Sequence, residues 1–148
     1  MKCAIELMAI RAKAEEDYKM EEERKDLIAL KEFVETTKRT INFCENEINN
    51  ALIHRAENRS NNISVSYLID YTYDRLGNKL FKFVTSDVKR YKDGGFSYSP
   101  KGECYSFDTL KNYLESHCLE VSTERIIKRK YGYGECYYTN LTINVPKI

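Results

Sequence analysis

The stretch LIALKEFVETTKRTINFCENEINNA, residues 27–51, indicates how this 148-residue chain is organised. Apolar or small side chains recur in it at alternating steps of three and four, which keeps one stripe of an α-helix apolar over several turns. No glycine or proline precedes Gly77, and helix-forming residues dominate positions 3–57. This region therefore predicts a long helix or a helical hairpin. The stripe comprises Leu27, Leu30, Val34, Thr37, Ile41, Cys44, Ile48 and Ala51.

The segment from Glu15 to Asp26 is the weakest part of the helical pattern. The three-four spacing falls there on charged residues, and the apolar residues Ala4, Leu7 and Met8 before it do not share the later register. An unbroken helix over residues 3–57 would be about 80 Å long at 1.5 Å per residue. Because that length exceeds a small domain, we favour two helices with a break near residues 15–26, although no turn residue marks a loop.

The second half of the chain reads as strands. After the polar segment 58–62, every odd position from Ile63 to Tyr73 is apolar or aromatic, which is the period of a half-buried β-strand. Turn signals around Gly77 separate it from a second strand over 79–91, and further strands are predicted over 119–130 and 136–145. Ser106 is a good N-cap for a helix over about 107–117.

Strands joined by hairpins, with helices kept apart from them, predict an α+β fold. We expect a single domain over residues 1–148. It contains a helical region, 1–57, and an α+β region, 63–148, with a small antiparallel sheet of about four strands and one helix.

Charge and cysteine content favour a soluble cytoplasmic protein. Residues 1–74 hold 11 Lys/Arg and 15 Asp/Glu, and residues 75–148 hold 13 and 8, so an acidic half precedes a basic half. No apolar run reaches the roughly 18 residues of a membrane span, and the first residues lack the apolar core of a signal peptide. We therefore expect no membrane partner. The five cysteines are scattered without a C-x-x-C pair, so we expect free thiols.

The sequence lacks the motifs of common enzyme classes. His54 and His117 are the only histidines, and neither belongs to a cluster with metal-ligand spacing. No phosphate-binding loop, nucleophile elbow or zinc-protease motif occurs. We therefore expect a protein that is not an enzyme, with no catalytic residues, no cofactor and no metal.

The hairpin over residues 125–133 is the best candidate for contact with a partner. It supplies positive charge and two tyrosines that suit stacking on bases or insertion into a protein pocket. Basic residues on an edge strand also discourage aggregation, so a purely protective role remains the alternative. The candidate residues are Arg125, Lys128, Arg129, Lys130, Tyr131 and Tyr133.

The helical stripe predicts self-association, because a long helix with one apolar stripe favours a partner helix. We expect a homo-oligomer, with a dimer favoured, held by Leu27, Leu30, Val34, Ile41 and Ile48. The leading hypothesis is a non-catalytic interaction protein that binds a protein partner stoichiometrically. The alternative is a nucleic-acid-binding protein that uses the basic hairpin.

The chain is short, rich in Lys, Glu, Tyr and Asn, and free of recognised motifs. In composition and layout it is similar to the small accessory proteins of bacteriophages and other mobile elements. That resemblance implies stoichiometric inhibition of a host defence system, for example by blocking a CRISPR nuclease or sequestering a defence signal.

Overall fold

The computed structural model describes the backbone of residues 1–84, 89–90, 96–97, 100–129 and 135–147, and the side chains of residues 1–84, 102–126 and 137–147. The helical elements are α1 (Ala4–Phe43), a π-helical segment (Cys44–Ile48), α2 (Asn49–Glu57) and α3 (Phe107–Ser116). The strands are β1 (Ser64–Tyr73), β2 (Lys79–Val84), β3 (Lys89–Arg90), β4 (Phe96–Ser97), β5 (Pro100–Ser106), β6 (Glu120–Arg129) and β7 (Glu135–Asn144).

Helix α1 runs without interruption through residues 15–26, so the break favoured there by the sequence pattern is wrong. Charged residues are good helix formers, and they pair along this surface: Arg24 Nη2 lies 2.7 Å from Glu21 Oε1. Arg75, in the turn after β1, adds a tertiary contact by binding the carboxylates of Glu22 and Asp26, with Nε 2.7 Å from Asp26 Oδ1. The charge-rich segment is therefore a solvated helix that is tied to the sheet at one point.

The π-helical segment changes the rotation of the helix where it meets the core. Buried residues follow one another at steps of four from Thr36 through Thr40 and Cys44 to Ile48. In an α-helix each step of four turns the side chain about 40° past the previous one. Because a π turn is wider, it reduces that drift and keeps Cys44 and Ile48 facing the sheet.

The predicted α+β class is confirmed. The main sheet has five strands in the order β5-β2-β1-β7-β6, and every neighbouring pair is antiparallel. Strand β1 is central, with Ile69 opposite Phe83 on one side and Thr139 on the other. Strands β3 and β4 pair separately.

Strand β5 is the element that the sequence pattern did not predict, because Pro100 and Gly102 indicate a turn. Gly102 does adopt a left-handed φ of +85°, but within the strand, where the pairing with β2 shifts register. The predicted helix over 107–117 is confirmed as α3. Its N-cap is also as predicted, since Ser106 Oγ accepts a hydrogen bond from the Thr109 N–H at 3.3 Å.

The core lies between one face of the sheet and a layer of helices. The end of α1, the π-helical segment, α2 and α3 all contribute to it. Its fully buried side chains include Ile48, Ile69, Phe81, Leu110 and Leu141. Aromatic rings extend this core toward β5, because Phe43 packs against Phe83 and Tyr105 with ring centroids 4.9 and 5.2 Å apart.

Candidate functional site

The first part of the predicted stripe lies on the surface of α1. Leu27, Leu30 and Val34 expose 53%, 50% and 46% of their area, although each is a large apolar side chain. Leu27 and Val34 lie on the side of the helix opposite Ala29 and Thr36, which are buried against the domain, and Leu30 lies beside Val34. The structure thus leaves these three residues available to a partner.

The second part of the stripe turns into the domain. Ile41 is half-buried, and Ile48 is fully buried in the core. The strict three-four register follows a coiled-coil seam, whereas the buried face of this helix advances by fours. The predicted stripe and the series of buried residues are separate at Val34 and coincide from Cys44 onward. Ile48 therefore belongs to the intramolecular core.

The exposed stripe extends toward the N-terminus in a way that the sequence pattern did not reveal. No described residue before Ala29 is buried, so the first part of α1 projects beyond the domain. Ile5, Ala9, Ala12 and Met20 lie on the same side of the helix as Leu27. Together with Glu16 and Glu23 they form a series in which successive residues are three or four positions apart. We call this surface the outward face of α1: Ile5, Ala9, Ala12, Glu16, Met20, Glu23, Leu27, Leu30 and Val34.

The structure describes only part of the basic hairpin. Arg125, on β6, is exposed, and its guanidinium carbon lies 3.9 Å from the ring centroid of Tyr137 on β7. Lys128 and Arg129 continue β6 opposite Cys136 and Glu135, but their side chains lie outside the described residues. Lys130, Tyr131 and Tyr133 lie outside them altogether.

Arg125 belongs to a second feature, which we call the sheet-face cleft. This depression of about 490 Å³ crosses β2, β1, β7 and β6. Its lining consists of Asp70, Tyr71, Lys79, Thr123, Arg125, Tyr137, Tyr138 and Thr139. Apart from Arg125, none of these residues was a candidate from the sequence, because they meet only through strand pairing.

The tyrosine at the centre of the cleft lies beside two threonines. Burial raises the pKa of the Tyr71 phenol, whereas the neighbouring Thr123 and Thr139 hydroxyls act to lower it. The Lys79 ammonium lies 4.0 Å from the centroid of the Tyr71 ring and 4.8 Å from that of Phe107. Both basic residues of the cleft therefore rest on aromatic faces.

A smaller cavity of about 380 Å³ lies beside the π-helical segment. Tyr113 Oη donates a hydrogen bond to Glu45 Oε1 at 3.2 Å across its mouth, and His117 Nδ1 lies 2.8 Å from the Tyr113 carbonyl oxygen. Burial raises the pKa of the Cys44 thiol in its wall to about 12. Cys44 is therefore protonated at neutral pH and is a poor nucleophile there.

Two further findings concern the described part of the chain. No group of three or more His, Cys, Asp or Glu side chains within it is arranged to hold a metal ion. None of its helices combines the length and the apolar character needed to cross a bilayer.

The chain shows no significant match to protein-family models, to curated proteins or to solved structures.

Proposed function

We propose that this protein is a non-catalytic interaction protein that acts by stoichiometric binding and self-associates through the outward face of α1. The observation that carries the proposal is that the large apolar side chains of this face are all exposed: Ile5 79%, Met20 61%, Leu27 53%, Leu30 50% and Val34 46%. Large exposed apolar residues in a row mark an interaction surface more often than isolated ones do.

The projecting part of α1 supports the proposal energetically. Helices without tertiary packing are marginal in water, since most helix stability in proteins comes from packing an apolar face. Before Ala29 the main tertiary contact in the described chain is Arg75 with Glu22 and Asp26. A partner helix would supply the packing that the domain does not.

A second copy of the chain, arranged antiparallel, fits this face by size. When the two helices overlap over residues 5–34, about 45 Å at 1.5 Å per residue, the small side chains Ala9 and Ala12 meet large leucines. Such alternation fills the space between helices without voids. The facing positions are Ile5 with Val34, Ala9 with Leu30, and Ala12 with Leu27.

The same overlap brings Glu16 opposite Glu23 near the dimer axis. Like charges at facing positions weaken a helix pair and are a common means of limiting association. We therefore expect a moderate affinity that rises when both glutamates are replaced by glutamine. Glu57→Gln, an exposed change on α2, is the matched control.

Size-exclusion chromatography with light scattering tests the self-association. We expect a mass near twice 17.4 kDa, and a shift to monomer on Val34→Asp or Leu30→Asp. Ile53→Asp is the control, because Ile53 on α2 is 45% exposed, close to the 46% of Val34. A monomeric wild-type chain at every concentration, or equal dissociation by Ile53→Asp, would refute the dimer.

The class of target is the one implied by the resemblance to small accessory proteins of bacteriophages and other mobile elements. We propose that the protein acts in the cytoplasm as an accessory protein of a phage or other mobile element and inhibits a host defence system, such as a CRISPR nuclease, by binding it. Its small size and its many Lys, Glu, Tyr and Asn residues support this class. Titration against the nuclease should then give a linear loss of activity that ends at a fixed molar ratio. Turnover of a small molecule by the protein would contradict it.

Binding of nucleic acid through the hairpin over 125–133 is the second candidate function. The observation that favours it is that Arg125 lies over the Tyr137 ring at the start of the basic segment of β6. Phosphate contacts would make the affinity for an oligonucleotide fall steeply as salt increases. An affinity that does not change with salt, or the absence of detectable binding, would count against this function.

A further inference from the structure

We propose that the sheet-face cleft is a binding site for a nucleotide, with the phosphate held by Lys79 and the base stacked on Arg125. The cleft is an open depression with a volume of about 490 Å³, which falls within the range of small-molecule sites, about 300–1,000 Å³. Nothing in this proposal depends on the outward face of α1, which lies on another part of the molecule.

The charges in the cleft favour an anion. Lys79 and Arg125 line it, and among the described lining residues Asp70 is the only acid. No ion pair joins either basic residue to a carboxylate within the described side chains. Two cations that keep their hydrogen-bond donors leave a net positive site for a phosphate group.

The aromatic contacts fix where each cation lies. Lys79 sits 4.0 Å from the Tyr71 ring centroid, and Arg125 sits 3.9 Å from that of Tyr137. A guanidinium that lies over a tyrosine ring on one side can offer its other side to a base, an arrangement common in nucleotide recognition. Lys79 has no such plane, so it suits the phosphate as a point charge.

The strand order places the backbones of these two cations on opposite sides of the cleft. Lys79 lies on β2 and Arg125 on β6, with β1 and β7 between them. Their charged ends lie over the tyrosines of these middle strands, Lys79 over Tyr71 and Arg125 over Tyr137. A ligand that contacts both charged ends needs an anionic group at one and a flat ring at the other, as a nucleotide has. The hydroxyls of Tyr71, Thr123 and Thr139 lie between the two ends and can exchange hydrogen bonds with a sugar.

Isothermal titration calorimetry with adenosine 5′-monophosphate tests the assignment, with adenosine and inorganic phosphate as partial ligands. A ten-nucleotide single strand of deoxyadenosine distinguishes a free nucleotide from a nucleic-acid strand as the source. We expect the monophosphate to bind more tightly than either partial ligand. Arg125→Ala and Lys79→Ala should each weaken binding at least about tenfold, and Arg125→Lys should also weaken it because the stacking plane is lost.

Lys82→Ala is the matched control, since Lys82 is a basic residue on the same strand as Lys79 but one that does not line the cleft. Binding of the strand alone, lost in Arg125→Ala and Lys79→Ala, would support the site with a nucleic acid as its source. No binding of any probe, or binding that Lys82→Ala weakens as much as Lys79→Ala, would overturn the proposal. Light scattering on the same variants reports the oligomeric state separately, so failure here is distinguishable from failure of the dimer.

Discussion

Thr40 Oγ1 accepts a hydrogen bond from the buried backbone N–H of Ser106 at 2.9 Å, and it donates its own proton to the Thr36 carbonyl at 2.7 Å. One hydroxyl therefore joins the last turn of α1 to the junction of β5 and α3. Arg39 binds the same strand, with Nη1 2.8 Å from the Cys104 carbonyl oxygen. These contacts attach the C-terminal end of α1 to β5.

Replacing Thr40 by valine should destabilise the protein by about 1–3 kcal/mol, because the Ser106 N–H would be buried without a partner. Thr37→Val is the matched control: Thr37 Oγ1 donates to the Phe33 carbonyl within the same helix and holds no second element. Urea unfolding of the two variants gives the comparison. Equal losses of stability would show that the Thr40 contact to Ser106 has little weight.

Ile48→Ala should cost about 2–5 kcal/mol, because Ile48 is fully buried and its truncation leaves a cavity. Leu30→Ala should leave the unfolding free energy of the monomer nearly unchanged, because Leu30 is 50% exposed. Both residues belong to the same sequence stripe, so the pair separates core from surface. Thermal unfolding under conditions that keep the chain monomeric provides the measurement, and a large loss for Leu30→Ala would place the outward face in an internal core.

Arg75→Ala should increase hydrogen exchange in residues 18–26 of α1, since Arg75 is the contact that ties Glu22 and Asp26 to the sheet. Global stability should change by less than about 1 kcal/mol, because these groups are partly exposed to solvent. Arg24→Ala removes a pair within the helix and is the control. Unchanged exchange in Arg75→Ala would mean that the projecting helix is held by another contact, such as the proposed dimer.

Cys44 should resist alkylation in the native protein at pH 8, whereas the exposed Cys3 and Cys118 react. Burial raises the pKa of Cys44 from its ordinary value of 9.0 to about 12. The folded state then holds this proton more tightly than the unfolded state, so its contribution to stability is complete below pH 9 and is lost between pH 9 and 12.

Cys44→Ala should therefore show a smaller loss of stability than the wild type over that alkaline range. Other groups titrate there as well, notably Tyr67 and Tyr105, whose pKa values burial also raises. The difference between wild type and variant isolates Cys44. Peptide mapping after alkylation identifies the modified thiols, and rapid labelling of Cys44 at pH 8 would contradict its burial.

Local pattern was enough to predict the fold class. The alternation from Ile63 to Tyr73 predicts a strand whichever strands it pairs with. The absence of glycine and proline before Gly77 permits a long helix. Ser106 shows the same: its hydroxyl caps the helix that follows it in the chain. Strand β5 was not predicted, because Pro100 and Gly102 indicate turns locally. It forms a strand by pairing with Phe81 and Phe83, which are distant in sequence.

Sequence alone determined that residues from Leu27 onward form an amphipathic helix, since periodicity is a property of neighbours along the chain. Only the tertiary structure decided that Val34 faces solvent and Ile48 the core, because the π-helical segment changes the rotation of the helix where it meets the sheet. Arg125 was a candidate from its charge, but its stacking on Tyr137 and its place opposite Lys79 depend on strand order. Periodicity depends on the local sequence. The rotation of the helix about its axis and the order of the strands depend on the packing of the whole domain.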